Sequence, residues 1–63
     1  MSQLRVERKR RGWTLSQVSV VARIAVPDLS LLERGLRPAW PGWRRRLSQT
    51  FGVTEIELFG DGR

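Results

Sequence analysis

The sequence predicts an all-α fold, a compact domain of five short helices. Two observations lead to this prediction. Residues that start and end helices recur along the whole chain, and no stretch alternates apolar and polar residues as a β-strand would. The 63 residues show no internal repeat, low-complexity tract or domain boundary. We therefore expect one domain, 1–63, near the lower size limit for a core that folds alone.

The first helix is predicted from about Gln3 to Arg11. Ser2 can cap its start, and Gly12 ends it. Glu7 and Arg11 have the spacing of an ion pair on one helix face, a contact worth a few tenths of a kcal/mol. The basic run LRVERKRR has two readings that remain open. It is either a solvated face or a surface that contacts phosphates.

Residues 14–35 contain the central feature, two short helices joined by a tight turn. Thr14 and Gln17 match a capping box, in which each side chain binds the other residue's backbone amide. Pro27 suits the first turn of the next helix, where amides lack partners. Gly35 ends that helix because glycine readily adopts the left-handed conformation. The two helices are predicted over about 15–23 and 25–34.

A longer helix is predicted to begin at Pro41. Trp40, Trp43, Leu47 and Phe51 follow helical spacing along one side. Both tryptophans are therefore predicted to be core residues. An aromatic platform that stacks on nucleic-acid bases is the less favoured interpretation.

The last predicted helix is short and covers about Glu55–Phe59. Gly52 ends the helix before it, and Gly60 closes it. Thr54 and Glu57 match a second capping box. Residues 61–63, which follow this helix, are predicted to form a frayed end.

Composition narrows the classes of function. The chain has no cysteine and no histidine, so the usual metal ligands and the commonest general base are missing. We expect no metal, no cofactor and no enzymatic activity.

The balance of charge indicates the class of partner. Twelve basic residues against six acidic ones give a net charge of +6, which favours nucleic acid over a membrane as partner. Without a long apolar run or a signal-peptide core, the chain is expected to be intracellular and soluble.

Four segments carry a resemblance to a known family: LRVERKRRGWT, LSLLERG, RP and FGVTEIELF. Together they resemble the helix-turn-helix domain of the Cro/CI repressor type, also called the XRE family, over Leu4 to Phe59. The most specific landmarks are S-x-x-E-R-G at 30–35, G-W-T at 12–14 and the closing Leu58-Phe59 pair. The resemblance implies a lambda-repressor-like five-helix fold whose third helix lies in the DNA major groove. It also implies a cytoplasmic, nucleoid-associated protein of a bacterium or phage.

The resemblance assigns structural roles to several residues. Arg8 and Glu33 would form an inward-facing ion pair that ties the first helix to the third. Such a pair would organise the fold, while the cost of desolvating the two charges offsets their attraction. Ser19 would provide the small side chain needed where the two motif helices pack closely. The core of the motif would consist of Val18, Ala22, Ile24, Leu29 and Leu32.

The resemblance also implies a set of phosphate contacts. Thr14 and Gln17 lie at the start of the second helix, where amides and polar side chains often bind a phosphate. Capping alone would also explain both residues. Arg34 and Arg37 follow the third helix and are the strongest cationic candidates. Further candidates are Arg10, Arg11 and Arg44.

The base-reading positions implied by the resemblance lie on the outer side of the third helix. None of them is Arg, Lys, Gln or Asn, the residues that make bidentate contacts to guanine and adenine. Val26 and Leu31 can touch thymine methyl groups, whereas Asp28 either accepts from cytosine or caps the helix. Direct readout is therefore expected to be modest. The positions are Val26, Pro27, Asp28 and Leu31.

Apolar residues at outward positions leave a second function open. An exposed apolar patch often marks a protein partner, and five such positions are predicted. We favour a sequence-specific DNA-binding transcriptional regulator that acts as a homodimer on double-stranded DNA. The alternative is a protein-interaction module on the same scaffold, an antitoxin-like or polymerase-modulating factor. The outward positions are Leu15, Val20, Val26, Pro27 and Leu31.

Overall fold

Five helices form within residues 2–60, the part of the chain that the computed structural model describes. The predicted frayed end, 61–63, lies outside the described residues. No strand occurs among these residues, so the all-α prediction is confirmed. The first three helices each end one residue earlier than predicted, because Arg11, Arg23 and Arg34 serve as C-caps. The helices are α1 Gln3–Arg10, α2 Leu15–Ala22, α3 Val26–Glu33, α4 Pro41–Phe51 and α5 Glu55–Phe59.

Side-chain caps start three of the helices, largely as predicted. The Ser2 hydroxyl accepts from the amide three residues later. Both halves of the first capping box form, with 3.1 Å from the Gln17 amide to the Thr14 hydroxyl and 2.8 Å in the reverse contact. Only the Thr54 half of the second box forms, because the Glu57 side chain does not return to the cap. The local signals therefore set most of the helix starts.

The core joins all five helices through nine buried apolar residues. Trp43 and Leu15 are half-buried and pack against it. The prediction that Trp40 is a core residue is wrong, since 56% of it is exposed. Trp40 is the N-cap of α4 and has extended backbone angles, so it does not share the helical stripe. The buried residues are Leu4, Val18, Ala22, Ile24, Leu29, Leu32, Leu47, Phe51 and Leu58.

An ion pair between Arg8 and Glu33 connects α1 to α3. Arg8 Nε lies 2.6 Å and Nη2 lies 3.0 Å from the two carboxylate oxygens of Glu33. Arg8 Nη1 also donates to the carbonyl of Trp13 at 2.9 Å. The two side chains are 12% and 6% exposed, and hydrogen bonding to Glu33 raises the pKa of Arg8. This geometry is the bidentate form, the strongest kind of side-chain ion pair.

Glu7 and Arg11 form more than the predicted surface pair. Glu7 is buried and accepts from Arg11 at 2.6 Å and from Gln3 at 2.8 Å. Arg11 also donates to the carbonyl of Phe51 at 2.7 Å. This last bond satisfies a carbonyl at the C-terminal end of α4, which would otherwise lack a helical partner. The pair therefore ties α1 to α4.

The described residues form a compact body. The Cα radius of gyration is 10.2 Å, against about 10–11 Å expected for a compact chain of this length. Within residues 2–60, no single helix is both long and apolar enough to cross a membrane.

We predict that Arg8→Met lowers the free energy of unfolding by about 3 kcal/mol, because it leaves the buried Glu33 carboxylate unpaired. The double variant Arg8→Met/Glu33→Leu should recover most of this loss, since it removes both charges. Urea denaturation of the single and double variants measures both effects. Equal stability of the two variants would mean that the ion pair does not hold α3.

A second prediction concerns pH. Hydrogen bonds from Arg11 and then Gln3 lower the pKa of Glu7 below 4.5. A lowered folded-state pKa adds stability above the unfolded-state value, and this stability is lost as pH falls through the folded-state pKa. Wild type should therefore lose more stability than Glu7→Gln between about pH 6 and about pH 3. Parallel stability curves for the two proteins would contradict this expectation.

Candidate nucleic-acid interface

The candidate interface is built on the turn between α2 and α3. Three residues, 23–25, join the helices, and the chain axis bends by 110° there. The carbonyl of Ser19 accepts from both the Arg23 and Ile24 amides, and the Ile24 side chain is buried. Helix-turn-helix pairs typically cross at about 90–120° over a turn of three or four residues. The geometry of α2 and α3 falls within this range.

The outer side of α3 presents a mostly apolar surface. Pro27 is exposed, while Val26, Asp28 and Leu31 are half-buried. Neither Val26 nor Leu31 belongs to the apolar residues packed against the core. Of the four predicted base-reading positions, Pro27 is therefore exposed, whereas Val26, Asp28 and Leu31 are only partly accessible.

The carboxylate of Asp28 binds Arg37 rather than the start of its own helix. The Asp28 Oδ1 to Arg37 Nη1 distance is 2.8 Å, and no side-chain hydrogen bond caps α3 at Ala25. The Arg37 guanidinium also lies 6.0 Å from the centre of the Trp43 ring. An exposed pair of this kind contributes only about 0–1 kcal/mol. Arg37 is thus held beside α3 by a weak ion pair, and an anion that binds Arg37 more tightly can displace Asp28 from it.

The remaining predicted phosphate contacts are exposed. Thr14 and Gln17 lie at the solvent-facing start of α2, although their side chains are already engaged in the capping box. Arg34 is exposed at the C-cap of α3. Within residues 2–60 it has no ion pair and no side-chain hydrogen bond. Arg34 is therefore the most available of the predicted cations.

Two of the secondary phosphate candidates have internal partners instead. Arg11 is bound within the fold as described above. Arg44 lies 3.5 Å from a Glu55 carboxylate oxygen and 5.3 Å from the centre of the Phe59 ring. Arg10 remains 66% exposed and touches a carboxylate of α1 at 3.2 Å. Sequence spacing predicted the pair of Arg11 with Glu7, but it did not predict the contact of Arg11 with Phe51 or those of Arg44 with α5, because these partners lie on other helices.

The prediction that Leu15 points outward is wrong. Leu15 is half-buried and packs against the core. It lies three residues before Val18 and seven before Ala22, both of which are buried, and this spacing places all three on one helix face. The exposed apolar residues of α2 are Val20, as predicted, and Val21.

Sequence reasoning missed Arg23 as a notable position. Its backbone is left-handed, with a φ of 60°, at a cost of roughly 1–2 kcal/mol for a residue with a side chain. Arg46 Nη1 donates to the Arg23 carbonyl at 3.1 Å. A glycine or asparagine at position 23 would have indicated a left-handed residue in the sequence, but the chain has an arginine there.

No family model, curated protein or solved structure matches this chain. Among the residues from Ser2 to Gly60, no cluster of three or more acidic, cysteine or histidine side chains is placed to hold a metal ion.

We predict that Asp28→Ala strengthens binding to a non-specific DNA duplex, because it removes a negative charge and releases Arg37 for a phosphate. One additional phosphate contact should steepen the slope of log K against log salt by about 0.9. Fluorescence anisotropy at several salt concentrations measures this slope. Glu57→Ala is the matched control, since it removes an equal charge from an exposed position on α5. An identical change in both variants would show that only net charge matters.

Proposed function

We propose that the protein is a sequence-specific DNA-binding regulator of the Cro/CI helix-turn-helix type. In this proposal α3 is inserted into the major groove of double-stranded DNA. The observation that supports it most strongly is the 110° bend between α2 and α3 around a three-residue turn. Neither Val26 nor Leu31 of α3 is among the apolar residues packed against the core. The resemblance of its sequence segments to the family also supports this function, and the chemistry of the site has to agree with it.

The dimensions of α3 suit the groove. An α-helix with its side chains is about 10–12 Å in diameter, and the major groove is about 12 Å wide, so α3, with its eight residues, can lie in the groove. Val26 and Leu31 would contact thymine methyl groups, and Asp28 would accept from the amino group of a cytosine. Recognition by these residues would depend more on shape and apolar contact than on bidentate hydrogen bonds.

The orientation of α3 is held by the rest of the domain. Glu33, in its last turn, is bound by two nitrogens of Arg8, and Ile24 anchors the preceding turn in the core. A recognition element held by such contacts loses little conformational freedom on binding. This rigidity supports a role for α3 in reading a defined sequence.

Affinity in this proposal comes mainly from phosphates. Arg34 is available at the end of α3, and Arg37 can exchange Asp28 for a phosphate. Thr14 and Gln17 would contact the backbone at the start of α2. With a net charge of +6, binding should weaken steeply as salt rises.

We also propose that the protein binds as a homodimer. One short helix reads only a few base pairs, and helix-turn-helix domains commonly pair on half-sites one helical turn apart. A two-fold-related operator would follow from that symmetry. From the family resemblance we propose that such a regulator acts in the cytoplasm, on the nucleoid of a bacterium or on phage DNA.

A protein-interaction module is the second candidate function. It is favoured by the exposure of Val20 and Val21, which are 79% and 66% accessible on adjacent positions of α2. Neighbouring exposed apolar side chains are typical of a protein-binding surface. An antitoxin-like or polymerase-modulating factor would use such a surface in place of DNA.

Selection of bound duplexes from a random DNA pool tests the main proposal. We expect an approximately palindromic site that binds at least ~10³-fold tighter than a scrambled control. If no sequence is enriched, and if all duplexes dissociate together as salt rises, the protein is not a sequence-specific regulator.

Arg34→Ala should weaken binding to every duplex and reduce the salt slope by about 0.9, because one phosphate contact is lost. Arg45→Ala provides the control, since it removes the same charge from an exposed position on α4. Titrations of both variants against the selected duplex measure the effect. Equal losses in the two variants would rule out a specific contact by Arg34.

A further inference from the structure

An open groove lies between α2 and α4, on a part of the surface that α3 does not form. We call it the α2/α4 groove. Its main part has a volume of about 510 Å³. Two of its lining residues, Val20 and Val21, are among the most exposed large apolar residues of the described chain. The lining residues are Trp13, Gln17, Val18, Val20, Val21 and Thr50.

The groove continues into a cationic end. A second depression of about 390 Å³ shares Val21 and Thr50 with the first and is also lined by Arg23, Arg46 and Gln49. The Arg46 guanidinium is held there by its 3.1 Å bond to the Arg23 carbonyl. No carboxylate lines either depression. The apolar part of the groove therefore adjoins Arg23 and Arg46, and no carboxylate lines the groove beside them.

Arg23 provides an independent observation at this end. Its left-handed backbone would be unstrained with glycine, yet the chain places an arginine there. Backbone strain retained at one position points to a use for the side chain it carries. Here that side chain lines the cationic end of the groove.

We propose that the α2/α4 groove binds an acidic amphipathic helix of a partner protein. The apolar face of that helix would lie on Val20 and Val21, and its carboxylates would pair with Arg23 and Arg46. This arrangement is the helix-in-groove mode of recognition. A small molecule is a poorer occupant, because sites for small ligands bury most of the ligand surface, whereas these valines are 79% and 66% exposed.

A second copy of this chain is also a poorer occupant. The chain carries a net charge of +6, so a second copy is not complementary in charge to the cationic end of this groove. Among the described carboxylates, Glu7 and Glu33 are buried, and Asp28 and Glu55 lie in ion pairs. Only Glu57, within residues 2–60, is exposed without an ion pair. Charge complementarity therefore favours a separate, acidic protein.

The probe for this proposal is a synthetic helix of about 16 residues, with leucines at helical spacing on one face and glutamates beside them. A twin peptide carries lysines in place of the glutamates. We expect the acidic peptide to shift the NMR amide signals of Val20, Val21, Arg23 and Arg46 in a saturable manner. The lysine twin should bind at least ~10-fold more weakly. Equal binding of the twins, or no saturable shift with either, overturns the proposal.

Variants of the groove make the test specific. Val21→Ser should weaken peptide binding at least ~10-fold, whereas Ile56→Ser should not change it. The two residues are equally exposed, at 66%, and Ile56 lies outside the groove. A comparable loss in both variants would overturn the proposal.

Arg23→Gly separates binding from folding. Glycine relieves the left-handed strain, so this variant should melt at a temperature equal to or above that of wild type while binding the acidic peptide more weakly. Unchanged peptide affinity overturns the role of Arg23.

Sedimentation without peptide tests whether a second copy occupies the groove. A dimer that Val21→Ser abolishes would mean that a second copy fills it. None of these measurements involves DNA, so their failure is independent of the proposed regulator function.

Discussion

The contact between Arg8 and Glu33 is the constraint on which the remaining geometry depends. It joins the first helix to the last turn of the third, and the third nitrogen of Arg8 fixes the carbonyl of Trp13 just before α2 begins. One guanidinium thereby sets the relative positions of three helices. Because both side chains are largely shielded from water, the attraction is little screened by salt. The pair specifies where α3 lies more than it adds net stability.

Two further arginines act in a similar way on the ends of helices. Arg11 donates to the carbonyl of Phe51 at the end of α4, and Arg46 donates to the carbonyl of Arg23 after α2. A domain of this size buries a small apolar core, and unpaired helix-end carbonyls would be costly in it. Long cationic side chains satisfy these carbonyls from neighbouring helices. The high arginine content is therefore partly structural, and net charge alone overstates the surface available to nucleic acid.

Two surfaces of the described chain are open to binding partners. The outer side of α3, with Arg34 and Arg37 beside it, suits a double-stranded polyanion. The α2/α4 groove, with its valines and the Arg23 and Arg46 end, suits an acidic amphipathic helix. They share the helix α2, whose N-terminal residues Thr14 and Gln17 lie near the first surface while Gln17 also lines the second. A regulator that binds both partners would therefore carry them on adjacent surfaces of one helix.

The sequence by itself determined the local structure of this protein. Capping residues and glycines placed the helix starts and ends to within about one residue, because these signals act over three or four neighbours. Only the tertiary structure decided which arginines are internal, that Trp40 is exposed and that Arg23 adopts a left-handed backbone. It also decided that Asp28 binds Arg37 and that a groove lies between α2 and α4. Many of these features join residues from separate helices, and no local pattern records how helices meet in space.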